Sequence, residues 1–591
     1  MALSTLDWAI VLGSLLISLG IGLYASRRSS ESGAEFFLSG RNMPWWLLGV
    51  SMVATTFAAD TPNLVAQIVR ETGVSGNWTW WAFLLTGMLT TFVYAKLWRR
   101  SGVATDLEFY ELRYSGRIAG FLRGFRAVYL GVVFNVIVMG TVCLAGVKLG
   151  AALLGLTALE TLLITSVVTV VYSAFGGLRG VILTDFFQFG LAIVGSFGAA
   201  YYLLGLPEVG GMEGLLSNAA VVPRLSLLPD FGEAEAYVPI LLVPLAVQWW
   251  ASWYPGAEPG GGGYVAQRML AAKSEGHALG ATLFFNVAHY ALRPWPWILV
   301  ALASLVLYPE LADLEAAFPD LEQDQIKDDL GYPIMLRLLP SGLLGIVVAS
   351  LAAALMSTLS THLNWGSSYL VNDVYLRFIR PGAGEMAQVT AGRAATVGLM
   401  LLALLAALVL ESALEGFNVL LQIGAGTGLI FILRWLWWRV NAYSELAGMV
   451  ASFAVALYFA FAHEWLGYDE LEGHVELLWG VGITTAVWLA VTLLTRPTDG
   501  AVQRAFVARV RPPMMGWRGS PAMVKAGAGT EGRGELGGQL LAAGLGVMGV
   551  YAALFATGKL LYGELGLGLA FAGGAVASGV GLWYLVREGQ T

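Results

Sequence analysis

The feature that most restricts this chain is a succession of apolar runs, each long enough as a helix to cross a hydrocarbon core, which takes about 20 residues. About fifteen occur, near 6–25, 44–69, 78–98, 124–148, 152–175, 182–204, 236–256, 277–307, 340–370, 391–411, 416–438, 443–462, 476–495, 537–557 and 565–586. Only 12% of the 591 residues are charged and 57% are hydrophobic, whereas soluble domains carry roughly 25% charged residues. The expectation is an all-α polytopic membrane protein of about 15 transmembrane helices. Seventy-four glycines and 21 tryptophans suit close helix packing and interfacial belts. One cysteine, Cys143, leaves no disulfide framework and no cysteine metal cluster, and the five histidines show no paired ligand spacing. A net charge of −7 with scattered basic residues argues against nucleic acid as a partner, and no obligate protein partner is evident. The first run starts at Leu6 with arginines behind it rather than before it, so it is not read as a cleaved signal.

Basic residues orient the runs. If the N-terminus lies outside, 26 of the 33 Lys and Arg fall in cytoplasmic segments, so the positive-inside rule places the N-terminus outside and the C-terminus in the cytoplasm of a multi-pass plasma (inner) membrane protein. The outer loop 308–333 is acidic and reads as a solvated face. The segment 496–536 reads as a cytoplasmic linker, rich in Arg, Gly and Pro and without apolar periodicity; it is expected to be poorly ordered in places.

Polar residues inside the runs are costly unless they face protein, water or an ion. The stretch Gly342–Tyr375 is apolar through Met356 and then carries Ser357, Thr358, Ser360, Thr361, His362, Asn364, Ser367, Ser368, Asn372 and Asp373. Two adjacent hydroxyls with Ala354 one turn earlier make a partial cage of neutral oxygens, which a hard cation prefers. The plain alternative is back-bonding to carbonyls of the same helix or bonding to a neighbour. Two runs are interrupted: 44–69 by Ala59-Asp60-Thr61-Pro62, and 236–256 by a stretch from Tyr254 to Tyr264 that holds two prolines and five glycines. Proline removes a ladder donor, and broken helices at matching positions of two repeats mark secondary transporters. The breaks fall in the second and seventh runs, which fits inverted five-helix repeats of spans 2–6 and 7–11. A packing kink is the alternative for either break alone.

Several stretches resemble the sodium/solute symporter family, which includes transporters of sugars, proline, pantothenate and iodide. They are Asp7 to Arg28, Phe36-Phe37-Leu38-Ser39-Gly40-Arg41 with Pro44-Trp45-Trp46, Ser173 to Val181 with Thr184-Asp185 and Gln188, Gln267 to Ser274, Ser357 to Asn364 with Asn372-Asp373-Val374-Tyr375, and Trp438 to Ala442 with Leu446-Ala447-Gly448. They occur in one order over roughly residues 1–460. The resemblance implies the five-plus-five leucine-transporter-type fold with one leading helix and about four trailing ones. It divides the chain into a leading helix and loop (1–43), a first repeat (44–204), a second repeat (236–440), trailing helices (441–495), the linker (496–536) and a C-terminal helix pair (537–591). It implies a co-transported sodium ion between spans 2 and 9, held by the carbonyls of Ala54, Phe57 and Ala354 and the hydroxyls of Ser357 and Thr358. Asp185 stands at the family's aspartate, where it receives the departing ion or serves as an ordinary interfacial carboxylate. Tyr264 is retained as a cap on the solute, and Asn418 and Gln422 lie on the tenth core helix.

The solute site departs from the family around the first break, where Thr56, Ala58, Asp60 and Thr61 stand. Gln248, Trp249, Trp250, Trp253, Tyr254, Glu258, His289, Tyr290 and Arg293 fall in the same presumed cavity. An intramembrane Arg needs a partner. Asp60 or Glu258 neutralises Arg293, or Arg293 or Glu258 touches the solute. Flat rings with carboxylates and amides suit a sugar, although a tryptophan stripe also serves packing. An amino acid or carboxylate would use Arg293 and the broken helix ends instead. The expected function is thus sodium-coupled symport of a small polar organic solute across the bilayer by alternating access, a sugar favoured, and not an enzyme. Proton coupling through Asp60, Asp185 or Glu258 is the alternative within that class. A transporter-like membrane sensor is the alternative from another class; a linker of about 40 residues is short for an output domain.

Overall fold

In this computed structural model the structure describes residues 3–58, 61–150, 155–250, 258–317, 326–409, 427–525 and 535–587. Among them are ten helices long and apolar enough to cross a membrane. They hold eleven of the expected runs, because one helical stretch, Leu159–Leu204, carries two. The remaining runs are the interrupted ones, those divided into shorter helical pieces, and the run 416–438, much of which lies outside the described residues.

In chain order, α1 (Thr5–Ser29) leads. The second run divides into α2 (Trp45–Thr55) and α3 (Thr61–Thr72), because Pro62 cannot donate to the ladder. α4 (Arg117–Leu144) follows the third run. The long stretch after it is two helices, α5 (158–176) and α6 (178–204), joined at Gly177 with φ 53 and ψ −158. A Cβ there would stand 2.7 Å from the carbonyl oxygen of Phe36, so only glycine lets the junction rest on the short helix Gly33–Leu38 that precedes α2. The seventh run reopens as α7 (Gly263–Ala271), reached through Gly260 and Gly261, both at φ 83. Then come α8 (Glu275–Leu307), α9 (Leu343–Tyr369), α10 (Glu385–Val409) and α11 (Gly428–Leu436). The trailing elements are α12 (Ala442–Trp465), α13 (Gly473–Leu494), α14 (Gly500–Val510), α15 (Glu535–Leu561) and α16 (Leu565–Arg587).

α9 is buried on every side from Ala353 to Tyr369. Asp7 of α1 accepts the N–H groups of Gly342 and Gly345 at 2.7 and 2.9 Å, which places a carboxylate at the positive end of α9. α1 and α10 pack on the flanks of α5, α6 and α9, and α12, α13 and α16 keep large apolar side chains outward, as lipid-facing helices do.

Two expectations need correction, and a third is decided only over the described residues. Linker residues 496–525 pack against the helices, and 526–534 lie outside the described residues: Phe506, Val510 and Trp517 are buried, and the Trp517 indole donates to the Trp435 carbonyl at 2.9 Å. Three large apolar residues anchor a segment whose composition hid them. The acidic outer loop is not only a solvated face, since Asp328 pairs with buried Arg70 at 2.7 Å. Not every basic residue assigned to the cytoplasmic side is a loop charge either: Arg113, Arg126, Arg268 and Arg434 are buried and bonded within the protein.

Candidate functional site

α2 stops where its ladder tightens. The Thr56 N–H reaches the Met52 carbonyl at 3.3 Å and the Phe57 N–H reaches the Ala54 carbonyl at 3.1 Å. α9 runs beside this end. The Thr358 hydroxyl donates to the Ala354 carbonyl at 3.1 Å and stands 3.5 Å from the Thr55 carbonyl. Ser357 donates to Asp185 at 2.6 Å. Ala54, Phe57, Ala354, Ser357 and Thr358 are all buried, so the five expected ligands lie on two packed elements. A hydroxyl that gives its proton to a neighbouring oxygen keeps its lone pairs for a cation, and the donor set is oxygen throughout, which suits a hard cation. Back-bonding and an ion site are thus compatible here. The carbonyl facing Thr358 across the interface belongs to Thr55, which sequence reasoning passed over.

Asp185 is 0% exposed. Besides Ser357 it accepts from Ser51 at 2.5 Å and lies 3.8 Å from Arg268, which is also fully buried. Asp185 is therefore a buried, bonded carboxylate rather than a solvated one. Arg268 of α7 reaches Ser51 at 3.2 Å and Thr361 at 2.8 Å, and Thr361 bonds Thr55 at 3.0 Å. One guanidinium thus ties α7 to α2 and α9 beside the five expected ligands. Arg268 lay in a recognised stretch but was counted as a loop charge. Its depth has no signal in the sequence.

The solute candidates gather one turn away. Pro294 has no N–H for the Tyr290 carbonyl, and α8 adapts by a wide turn at Ala288–Leu292, a feature that often marks functional sites. It sets His289 and Arg293 on one side. Arg293 Nη1 donates to the Val53 carbonyl at 3.3 Å and to the Thr56 hydroxyl at 3.1 Å, and Thr56 bonds His289 Nδ1 at 3.2 Å. The Arg293 guanidinium lies 5.1 Å over the Trp297 ring, which stacks on Phe57. Trp80, not foreseen, meets the rings of His289 and Tyr290 at 5.5 and 5.9 Å. Tyr264 is buried, with Arg268 5.7 Å from its ring. Thr61 opens α3 and is half-buried. Gln248 turns to the Thr79 carbonyl at 3.1 Å.

Glu258 is the correction. It forms ion pairs with Arg126 and, at 3.7 Å, with Arg434, so it is neither the partner of Arg293 nor a neighbour of Thr56 and His289. The positive-φ glycines after it redirect the chain, and linear spacing from Tyr254 misplaced it. Among the described residues Arg293 has no carboxylate partner, and its Nε atom has no hydrogen bond. Asp60, Trp253, Asn418 and Gln422, like Tyr254, lie outside the described residues.

The family model of the sodium:solute symporter family matches residues 36–452. The chain belongs to the sodium:solute symporter family. This symporter is 25% identical over 476 residues to the sodium/glucose cotransporter of Vibrio parahaemolyticus, covering 78% of this chain and 86% of that one. It is 26% identical over 492 residues to the sodium/myo-inositol cotransporter 2 of Mus musculus, covering 76% and 69%. A substrate-bound, outward-open Na+-coupled sialic acid symporter shares its fold with a TM-score of 0.67 at 19% identity, over 84% of this chain and 99% of that one. The symporter is a multi-pass membrane transport protein that couples to sodium, not an enzyme, on the leucine-transporter-type architecture.

Proposed function

We propose that this symporter moves a sugar or related polyol into the cell with sodium. Sodium binds the carbonyls of Ala54, Phe57 and Ala354 and the hydroxyls of Ser357 and Thr358, fixes the outward-open form, and leaves past Asp185 after closure. The observation that carries the reading is the adjacency of the two sites: Thr56 and the Val53 carbonyl, both bonded by Arg293, belong to the same helix end as Ala54 and Phe57. An ion that orders this end orders the solute contacts with it. Arg293, Thr56 and His289 offer convergent donors and acceptors to hydroxyls, Trp80 offers a flat face, and Tyr264 caps the solute. Relatives named for glucose and myo-inositol support the class. One inward sodium at 100 mV supplies about 2.3 kcal/mol. A tenfold gradient adds about 1.4 kcal/mol, which together allow roughly several-hundred-fold accumulation. The N-terminus is outside and the C-terminus cytoplasmic.

A second reading is favoured by Arg293 itself. A buried guanidinium without a carboxylate partner among the described residues suits a solute that carries a carboxylate. Thermal shift of the purified protein over neutral sugars, polyols, sugar acids and amino acids, in sodium and in potassium at fixed pH, tests both. Sodium-dependent stabilisation by neutral sugars supports the first reading. Stabilisation by acids alone supports the second, and equal stabilisation in potassium overturns sodium coupling.

A further inference from the structure

The ion pairs that removed Glu258 from the solute site have a position of their own. Glu258 stands between the opened seventh run and α7, two residues before Gly260 and Gly261 at φ 83, so the backbone beside it is built to turn. Its carboxylate bonds Arg126 of α4 and lies 3.7 Å from Arg434 of α11. Five residues on, the Gly263 N–H at the start of α7 donates to Asp106 at 2.9 Å, and Tyr369 of α9 donates to the same carboxylate at 2.6 Å. Arg126 and Asp106 belong to the first repeat; Glu258, Gly263, Tyr369 and Arg434 belong to the second. All of these links but Glu258–Arg434 therefore cross between the halves that alternating access must separate. They lie beside the arginine-rich loops, and every side chain in them is buried.

We infer that Glu258, held by Arg126 and Arg434, is the gate that closes the transport path at the arginine-rich face. The choice of charge over an apolar seal has a physical reason. Two ions buried together have lost their hydration, and mutual attraction roughly compensates. When the halves part, water enters and restores that hydration, so opening is not opposed by newly exposed apolar surface. The opposite face carries a counterpart: Arg70 of α3 joins Asp328 at 2.7 Å and Ser304 of α8 at 3.0 Å.

The gate rests on the proposed sodium-stabilised outward-open form, and the experiment separates the two. The full chain in detergent is titrated with sodium chloride alone, at ionic strength held constant with potassium, and the sodium concentration giving half-maximal thermal stabilisation is read. A wild-type protein with no sodium response overturns the transport reading. With that response present, Glu258→Gln weakens closure at the arginine-rich face, lowers the outward-open population and raises the midpoint about tenfold or more, since apparent affinity scales with the competent fraction. Arg70→Gln loosens the other face and lowers the midpoint. A purely structural role for these pairs would not move the two midpoints in opposite directions. An unchanged midpoint in Glu258→Gln, or shifts of the same sign in Glu258→Gln and Arg70→Gln, overturns the gate. If Glu258→Gln does not fold, Arg434→Gln leaves the Arg126 pair intact and gives a smaller rise, and no rise there also overturns it.

Discussion

Thr358→Val is the sharpest perturbation of the proposed ion site. Valine keeps the β-branched shape inside a fully packed helix and removes only the hydroxyl. Thr358 is buried against the end of α2, with its oxygen 3.1 Å from the Ala354 carbonyl and 3.5 Å from that of Thr55. The Ala354 carbonyl keeps its backbone partner within α9, so the fold loses about 0.5–1.5 kcal/mol, the worth of one ordinary hydrogen bond. The sodium ion loses one of five oxygens. An interaction with a charged group is worth about 1.5–3 kcal/mol, which raises the sodium concentration for half-maximal uptake between about tenfold and about a hundred-and-fiftyfold. Ser357→Ala is less clean, because it also strips one hydroxyl from Asp185. The assay is initial uptake in proteoliposomes against sodium at constant ionic strength, at saturating solute. A half-maximal concentration within about twofold of wild type, in a protein with an unchanged thermal midpoint, would refute the assignment of Thr358 as a ligand.

Arg293→Gln raises the KM for solute by about tenfold to a hundredfold, the loss of a charged donor at a buried site, while sodium alone still stabilises the protein; uptake kinetics beside a sodium thermal shift check both. Asp185→Asn leaves Arg268 buried without its counter-charge and costs about 3–5 kcal/mol. Asp185→Asn with Arg268→Gln recovers much of that loss, which thermal unfolding of the single and paired variants measures. Trp517→Ala removes an indole that covers Arg113 at 4.6 Å and bonds the end of α11. It destabilises the packed segment by about 3–5 kcal/mol and exposes residues 496–525 to limited proteolysis.

The parts legible in the sequence are those decided by local chemistry. Apolar runs of fixed length, the break before Pro62, the turn at Gly260 and Gly261, and the hydroxyls at Ser357 and Thr358 each follow from local residue chemistry in an apolar setting. The solute site was legible only in part. Thr56, His289 and Arg293 came together because two of them sit four apart on one helix and the third ends its neighbour. Trp80, Thr55, Ser51 and Thr361 were not singled out for a role, because nothing in a tryptophan or a mid-helix threonine distinguishes packing from lining.

Charge was where the linear reading failed. Arginine near the end of an apolar run counts as a loop residue by position, yet Arg113, Arg126, Arg268 and Arg434 turn inward. Whether a guanidinium faces water or protein depends on an acceptor far along the chain: Asp185 for Arg268, Glu258 for Arg126, and the carbonyls of Arg434 and Val440 for Arg113. The amino-acid order alone thus determined a bilayer-spanning transporter with an oxygen-rich site where two helices meet. Only the tertiary structure decided which carboxylate answers which arginine, because a one-dimensional pattern specifies the depth of each residue along a helix and not the partner it faces once the helices pack.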